Sequence, residues 1–224
     1  MMLIIVIALT IISLIVSNRL SATFKKYSKV RLNNGLTGKD IAEKMLRDFD
    51  VRDVEVVCGE GRLTDHYNPV TKTISLSKEV YYGDHISAAA VAAHETGHAI
   101  QHAESYSWLQ LRTSLVPVVS FSSRWCTWII IAGILLMNTF PQLIVVGIAL
   151  FAMTTLFSFI TLPVEINASS RAMAWLENVA SYEQLPKARH ALKLAAYTYV
   201  IAALASLAEL LRLVMIFLGS NNDD

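Results

Sequence analysis

The sequence predicts a mostly helical α+β protein with about four transmembrane helices and a small cytoplasmic domain. Two observations lead to this fold class. Of the 224 residues, 54% are apolar and only 17% are charged, whereas soluble domains average about one quarter charged residues. The apolar residues also cluster in long runs, one at the start of the chain and the others in its second half. Part of the chain is therefore expected to lie in lipid.

The charge and the cysteine content of the chain exclude some classes of function. The formal net charge is +1, so the chain lacks the strongly basic surface of a dedicated nucleic-acid-binding protein, and we expect no nucleic-acid partner. Cys58 and Cys126 are far apart, which is not the spacing of a disulfide framework or of a cysteine zinc site. Any metal site must therefore use histidine and carboxylate ligands.

The first apolar run, residues 1–18, contains no charged side chain and is just long enough to cross a bilayer. Basic residues follow this run instead of preceding it, which is the opposite of the order in a cleavable signal peptide. They are Arg19, Lys25, Lys26, Lys29 and Arg31. We therefore predict an uncleaved transmembrane anchor.

Residues 19–120 are predicted to be a cytoplasmic segment with mixed charges. Thr37 is a candidate N-cap for a helix that ends near Asp50. β-Branched and alternating patterns predict short strands at residues 54–58 and 71–76. An alanine-rich stretch, residues 86–103, predicts a long helix.

The second half of the chain is predicted to return to the membrane. Residues 121–163 contain two apolar runs joined by a short loop, which predicts a transmembrane hairpin. Residues 164–193 predict a cytoplasmic helix. The last apolar run, residues 194–218, contains Glu209 and Arg212 one helical turn apart, so this segment either spans the membrane or lies in its interface.

The positions of the basic residues predict the orientation. They follow the first apolar run and lie between the third and fourth runs, whereas the hairpin loop and the C-terminal tail have none. The positive-inside rule then places both polar segments in the cytoplasm and both chain termini outside. We expect a multi-pass protein of the cell membrane.

The predicted alanine-rich helix contains a His-Glu-x-x-His motif, formed by His94, Glu95 and His98. Histidines at positions i and i+4 project from one helix face about 6 Å apart along the axis, so both imidazoles can bind one Zn²⁺. The glutamate after the first histidine can take a proton from a water at the metal. We expect His94 and His98 to be zinc ligands and Glu95 to be the general base.

A catalytic zinc needs a third protein ligand. His102 continues the row of histidines, but it lies about 12 Å along the helix axis from His94, too far to share one ion. Glu165 is the first charged residue after a long uncharged stretch. Because the predicted hairpin returns the chain to the face that it left, Glu165 would end on the same side of the membrane as His94 and His98. It is therefore our candidate third ligand.

At these residues the chain resembles the YugP-type membrane zinc metallopeptidases of bacteria, and more loosely the HtpX-like and prenyl-protein membrane peptidases of the gluzincin type. The likeness covers nearly the whole chain and includes three motifs: Leu63-Thr64-Asp65-His66-Tyr67-Asn68-Pro69, Ala92-Ala93-His94-Glu95-Thr96-Gly97-His98-Ala99-Ile100-Gln101 and Leu162-Pro163-Val164-Glu165-Ile166-Asn167-Ala168-Ser169-Ser170-Arg171-Ala172. The resemblance implies a gluzincin-like zinc peptidase domain and a bacterial source. It also implies zinc ligation by His94, His98 and Glu165, with Glu95 as base.

Three further residues are candidates for supporting roles. In the HtpX-like relatives an aspartate four residues after the ligand glutamate holds the first histidine, and here that residue is Ser169, a weaker neutral acceptor. Arg171 either supports the site or stabilises an oxyanion, or else faces lipid phosphates. His66, like its neighbour Tyr67, borders the cleft, donates to an oxyanion or is structural. By analogy, residues 72–76 are either an edge strand that pairs with a substrate peptide or an ordinary sheet strand.

The predicted function is that of an integral membrane zinc metalloendopeptidase acting on proteins or peptides, membrane proteins among them, at the cytoplasmic face. The main alternative is a non-catalytic, zinc-stabilised membrane scaffold or chaperone. An intramembrane protease of the site-2 type is disfavoured because polar residues follow the motif too soon for that helix to span a bilayer. A transporter using Glu209 and Arg212 is a further rival. Neither the oligomeric state nor the substrate follows from the sequence.

Overall fold

A computed structural model of the chain describes residues 2–61, 63–136, 139–181 and 183–220. This part contains seven helices and three strands, numbered in chain order. They are α1 (Met2–Tyr27), α2 (Gly38–Asp48), β1 (Glu55–Gly59), β2 (His66–Asn68), β3 (Thr73–Ser77), α3 (Lys78–Tyr81), α4 (Ile86–Ala103), α5 (Ser107–Leu135), α6 (Gln142–Leu176) and α7 (Leu185–Ser220). The structure confirms a mostly helical protein with a small sheet.

Four helices, α1, α5, α6 and α7, are long and apolar enough to cross a membrane. All are longer than the apolar runs from which they were predicted. Thus α1 continues to Tyr27 instead of ending near residue 18, and α5 begins at Ser107. The predicted number of four candidate spans is confirmed.

The chain divides into two compact units. The first comprises residues 2–15, 111–162 and 198–220. Within it, α5 and α6 pack closely at two glycines: a Cβ on Gly133 would lie 2.7 Å from the backbone nitrogen of Ile144, and one on Gly147 would lie 2.7 Å from the Ile130 side chain. Close backbone approach at small residues is typical of helix packing in membranes. Helices α5 and α6 therefore pack against each other within this unit.

The second unit comprises residues 16–110 and 163–197. Its core is built around α2, α4 and the sheet, with Ile41, Met45, Ile74 and Leu76 completely buried. The start of α2 is fixed by a capping box, in which the Thr37 hydroxyl accepts from the backbone N–H of Asp40 and the Asp40 carboxylate accepts from the backbone N–H of Thr37. The predicted N-cap is confirmed.

The sheet differs from the prediction in one respect. Its strand order is β1-β3-β2, with β1 parallel and β2 antiparallel to β3. Strand β3 therefore has a partner on each side. Of the two alternatives for residues 72–76, the edge strand open to a substrate is wrong and the ordinary sheet strand is confirmed. The edge strand on the antiparallel side is β2, which the sequence analysis did not predict because its three residues lie in a segment rich in turn formers.

Helices α4 and α6 approach each other closely within the second unit. A Cβ on Gly97 of α4 would lie 2.7 Å from the carbonyl oxygen of Ala168 on α6. Pro163 lies inside α6, so Glu165 belongs to the same continuous helix as the third apolar run. The segment predicted to begin at residue 164 is therefore not a separate helix.

Candidate metal centre

Helix α4 places the two motif histidines side by side. The rings of His94 and His98 have their centroids 4.8 Å apart, as expected for residues one helical turn apart on the same face. His98 is 7% exposed, and His94 is partly buried. The histidine pair therefore lies at the edge of the packed interior.

Helix α6 brings Glu165 to both rings. Its Oε2 atom lies 3.2 Å from His94 Nε2 and 3.6 Å from His98 Nε2, and the residue is only 3% exposed. One potential ligand atom from each of the three residues lies within 4.8 Å of the others. The structure thus brings together the three residues that the sequence analysis singled out as zinc ligands.

The donor set fits a zinc ion. Ligand atoms about 2.05 Å from a tetrahedral zinc are about 3.3 Å from one another, which is close to the two distances from Glu165. Two imidazoles and one carboxylate also form a known ligand set of catalytic zinc, leaving a fourth position for water. His94, His98 and Glu165 would therefore hold the metal that this geometry accommodates.

The charge of Glu165 acts on His98. Burial lowers the pKa of His98, but the hydrogen bond and the negative charge of Glu165 raise it, and the net shift is upward. The site thus favours a positive charge beside the carboxylate, which is the property that a cation-binding site needs.

Ser169 lies where the resemblance suggested a support for the first histidine. Its Oγ atom is 3.1 Å from His94 Nδ1, on the opposite side of the ring from Glu165. A hydrogen bond at this nitrogen fixes the orientation of a metal-binding imidazole. Ser169 can accept the N–H of His94, although more weakly than a carboxylate would.

The second histidine has a partner that the sequence analysis missed. His98 Nδ1 lies 3.0 Å from Oε1 of Gln101, a completely buried side chain. The amide nitrogen of Gln101 donates to the carbonyl oxygen of Val164 at 2.8 Å and to Oδ1 of Asn167 at 2.9 Å. The local signal was available, since residues i and i+3 are neighbours on a helix, but the contacts to α6 were not visible in the sequence.

Glu95 does not join the three-residue group, but it lies next to it on α4. Its Oε2 atom accepts a hydrogen bond of 3.1 Å from the backbone N–H of Tyr67 on strand β2. The Tyr67 hydroxyl in turn is 2.7 Å from Nδ1 of His102. Burial, followed by the charge of Asp53, raises the pKa of Tyr67 to about 12, so the hydroxyl keeps its proton at neutral pH. Strand β2 therefore contacts α4 within the motif, at Glu95, and one helical turn beyond it, at His102.

The other two predicted site residues do not belong to the three-residue group. Arg171 donates from Nε to Asn167 Oδ1 at 2.8 Å and pairs with Glu104 at 2.7 Å. His66 is exposed, and its Nδ1 atom is 2.7 Å from the carbonyl oxygen of Thr64 in its own turn. Arg171 thus contacts Asn167, which is also a partner of Gln101. His66 contacts its own loop.

Comparison with known proteins identifies the family of the chain. The sequence profile of a family described as "Putative neutral zinc metallopeptidase" matches residues 2–218. A protein of Bacillus subtilis (strain 168) named "Putative membrane protease YugP" is 45% identical over 208 residues, which cover 92% of this chain and 92% of the relative. No solved structure matches the chain significantly. Because profile and relative both span nearly the whole sequence, the chain belongs to this zinc metallopeptidase family.

Proposed function

We propose that the protein is an integral membrane zinc endopeptidase of the gluzincin type, with its site at the cytoplasmic face. The observation that supports this most strongly is the meeting of His94, His98 and Glu165, whose ligand atoms lie within 4.8 Å of one another. The name of the B. subtilis relative, a membrane protease, supports the same class of activity.

In this proposal Glu95 is the general base. When bound, zinc would polarise the scissile carbonyl and make a water more acidic. Glu95 removes the proton of that water and later delivers it to the nitrogen of the leaving amine. The backbone N–H of Tyr67 holds one oxygen of the Glu95 carboxylate at 3.1 Å, which restricts the orientation of the side chain.

The proposed division of the chain follows from the same function. Residues 19–120 and 164–193 would supply the cytoplasmic catalytic part, and the apolar segments at residues 1–18, 121–163 and 194–218 would anchor it. The basic residues on the two polar segments support this orientation. A site held near the membrane favours proteins of the membrane or of its surface as substrates.

The proposed function is tested in membranes from cells that carry either the wild type or Glu95→Gln. Proteomics of new protein N-termini should find cleavage products with the wild type that are absent with the variant. Bound zinc should be equal in the two purified proteins, whereas Glu165→Ala should lose it. If the cells behave alike with either protein and the same N-termini appear, the scaffold or chaperone alternative replaces the peptidase.

A further inference from the structure

Gln101 is a completely buried amide that contacts both helices of the candidate metal centre. It lies on α4, where its oxygen faces His98, and its nitrogen faces two oxygens of α6, on Val164 and Asn167. Val164 directly precedes Glu165 in the sequence, and Asn167 follows it by two positions. The side chain of Gln101 thus contacts the candidate ligand His98 directly, and it also contacts the backbone next to the candidate ligand Glu165.

The partners of Gln101 determine which way its amide points. A backbone carbonyl such as that of Val164 can only accept a hydrogen bond, and an arginine such as Arg171 can only donate. Because Arg171 Nε donates to Asn167 Oδ1, that atom is an acceptor as well. The group of Gln101 that faces these two oxygens must therefore be its NH₂.

The direction of this amide fixes the proton on His98. If the NH₂ of Gln101 faces α6, its carbonyl oxygen faces His98 Nδ1, 3.0 Å away. A carbonyl oxygen can only accept, so Nδ1 carries the hydrogen, and the lone pair of a neutral ring is then on Nε2. That atom is the one 3.6 Å from Glu165 Oε2, on the metal side of the ring.

We propose that Gln101 is a positioning residue for the zinc site, selecting the metal-binding tautomer of His98 and holding the backbone around Glu165. It acts through two of the three ligands and does not touch the metal itself. The inference rests on the zinc site of the proposed function. Loss of such a partner typically lowers metal affinity by roughly 10- to 100-fold.

The chain offers a matched control in Gln184, a second glutamine of the same unit. It is 5% exposed, and its amide nitrogen donates to the carbonyl oxygen of Arg31 at 2.7 Å and to Oδ1 of Asn33 at 3.1 Å. It therefore joins two segments as Gln101 does, but through residues that do not belong to the metal centre. Gln184→Met should lower the unfolding temperature without changing zinc affinity.

The test measures the zinc dissociation constant of the full-length protein in detergent by competition with a chromophoric chelator. Gln101→Met should weaken binding roughly 10- to 100-fold and alter the visible spectrum of the Co²⁺-substituted protein. Gln101→Glu keeps an acceptor for His98 but loses both donations to α6, so its affinity should lie between those of Gln101→Met and the wild type. Gln184→Met should match the wild type in both readouts.

The inference is overturned if Gln101→Met binds zinc within about twofold of the wild type, or if Gln184→Met loses as much affinity as Gln101→Met does. If Gln101→Met does not fold, the zinc affinity of Gln101→Glu is measured instead. The inference is then overturned if that affinity equals the affinity of the wild type. A wild type that binds zinc but cleaves no peptide would refute the proposed peptidase and leave this inference standing.

Discussion

At the scale of single residues, the two histidines are held by different kinds of partner. His94 has the hydroxyl of Ser169 at Nδ1, and His98 has the amide of Gln101. Neither partner is charged, so neither can polarise the imidazole as strongly as the aspartate of the HtpX-like relatives. The negative charge next to the rings is supplied by Glu165 instead.

Removal of the hydroxyl in Ser169→Ala should weaken zinc binding by about tenfold, because His94 then lacks a partner that fixes its ring. Chelator competition on the purified protein measures this change. The control is Ser170, the next residue along the helix and an exposed one, and Ser170→Ala should bind zinc like the wild type. Unchanged affinity in Ser169→Ala would show that the 3.1 Å contact does not support His94.

Local spacing was enough to predict some of these residues and not others. The pair His94 and His98 follows from helical periodicity alone, and Glu165 required an argument about the direction of the chain. The contacts of Gln101 with α6 could not be predicted, because the residues that they join are 63 and 66 positions apart in the sequence. Such contacts depend on the angle and rotation of two packed helices, which periodicity does not determine.

At the scale of elements, the candidate site depends on how closely α4 and α6 pack. Gly97 lies within the His-Glu-x-x-His motif, and its missing side chain allows the backbone of Ala168 to approach. Since Glu165 lies one turn before Ala168 on α6, the separation of the helices at Gly97 also sets the distance from Glu165 to the histidines.

Gly97→Ala should therefore destabilise the protein by about 1–3 kcal/mol, the usual cost of overpacking, and should weaken zinc binding as well. The added Cβ would lie 2.7 Å from the Ala168 carbonyl oxygen, so the helices must separate. Thermal unfolding and chelator competition measure the two effects. Gly219→Ala is the control, because a Cβ there meets nothing within 4 Å. Wild-type zinc affinity in Gly97→Ala would contradict this role of the close approach.

The capping box of α2 gives a pH-dependent prediction. Hydrogen bonds from the side chain and the backbone of Thr37 hold the pKa of Asp40 below its usual 3.8. A carboxyl group with a lowered folded-state pKa contributes stability above its unfolded pKa and loses it as the pH falls through the folded value. Asp40→Asn should therefore unfold at a lower temperature than the wild type at neutral pH, and the difference should shrink below about pH 4.

Thermal unfolding in detergent across this pH range measures the effect, with Glu60→Gln as a control on an exposed carboxyl group. Thr37→Ala, which removes the N-cap side chain itself, should lower the free energy of unfolding by about 1 kcal/mol. A constant difference between wild type and Asp40→Asn at every pH would mean that the ionised carboxylate does not stabilise the helix.

The helices were easier to predict than the sheet. Long apolar runs and a capping motif depend on neighbouring residues, so α2, α4 and the four long helices were identified from the sequence. Strand β2 has three residues, and its place at the sheet edge depends on pairing with β3. The strand contacts α4 through the Tyr67 backbone and hydroxyl, which no local pattern indicates.

At the scale of the whole molecule, the orientation in the membrane is the main prediction that the chain's own charges support. In a variant whose Cys58 and Cys126 are replaced by serine, a membrane-impermeant maleimide added to intact cells should label Thr139→Cys in the hairpin loop. It should label Lys78→Cys, on an exposed position of the second unit, only after lysis. Labelling of Lys78→Cys in intact cells would place the site outside the cytoplasm.

The most direct test of the central claim is peptide cleavage by the purified, zinc-loaded protein, with metal content measured on the same samples. We expect the wild type to cleave a peptide library and Glu95→Gln to be slower by about 10²- to 10⁴-fold, the usual contribution of a general base, with equal zinc in both. Equal cleavage by the two proteins, or no cleavage by the zinc-loaded wild type, would contradict the account.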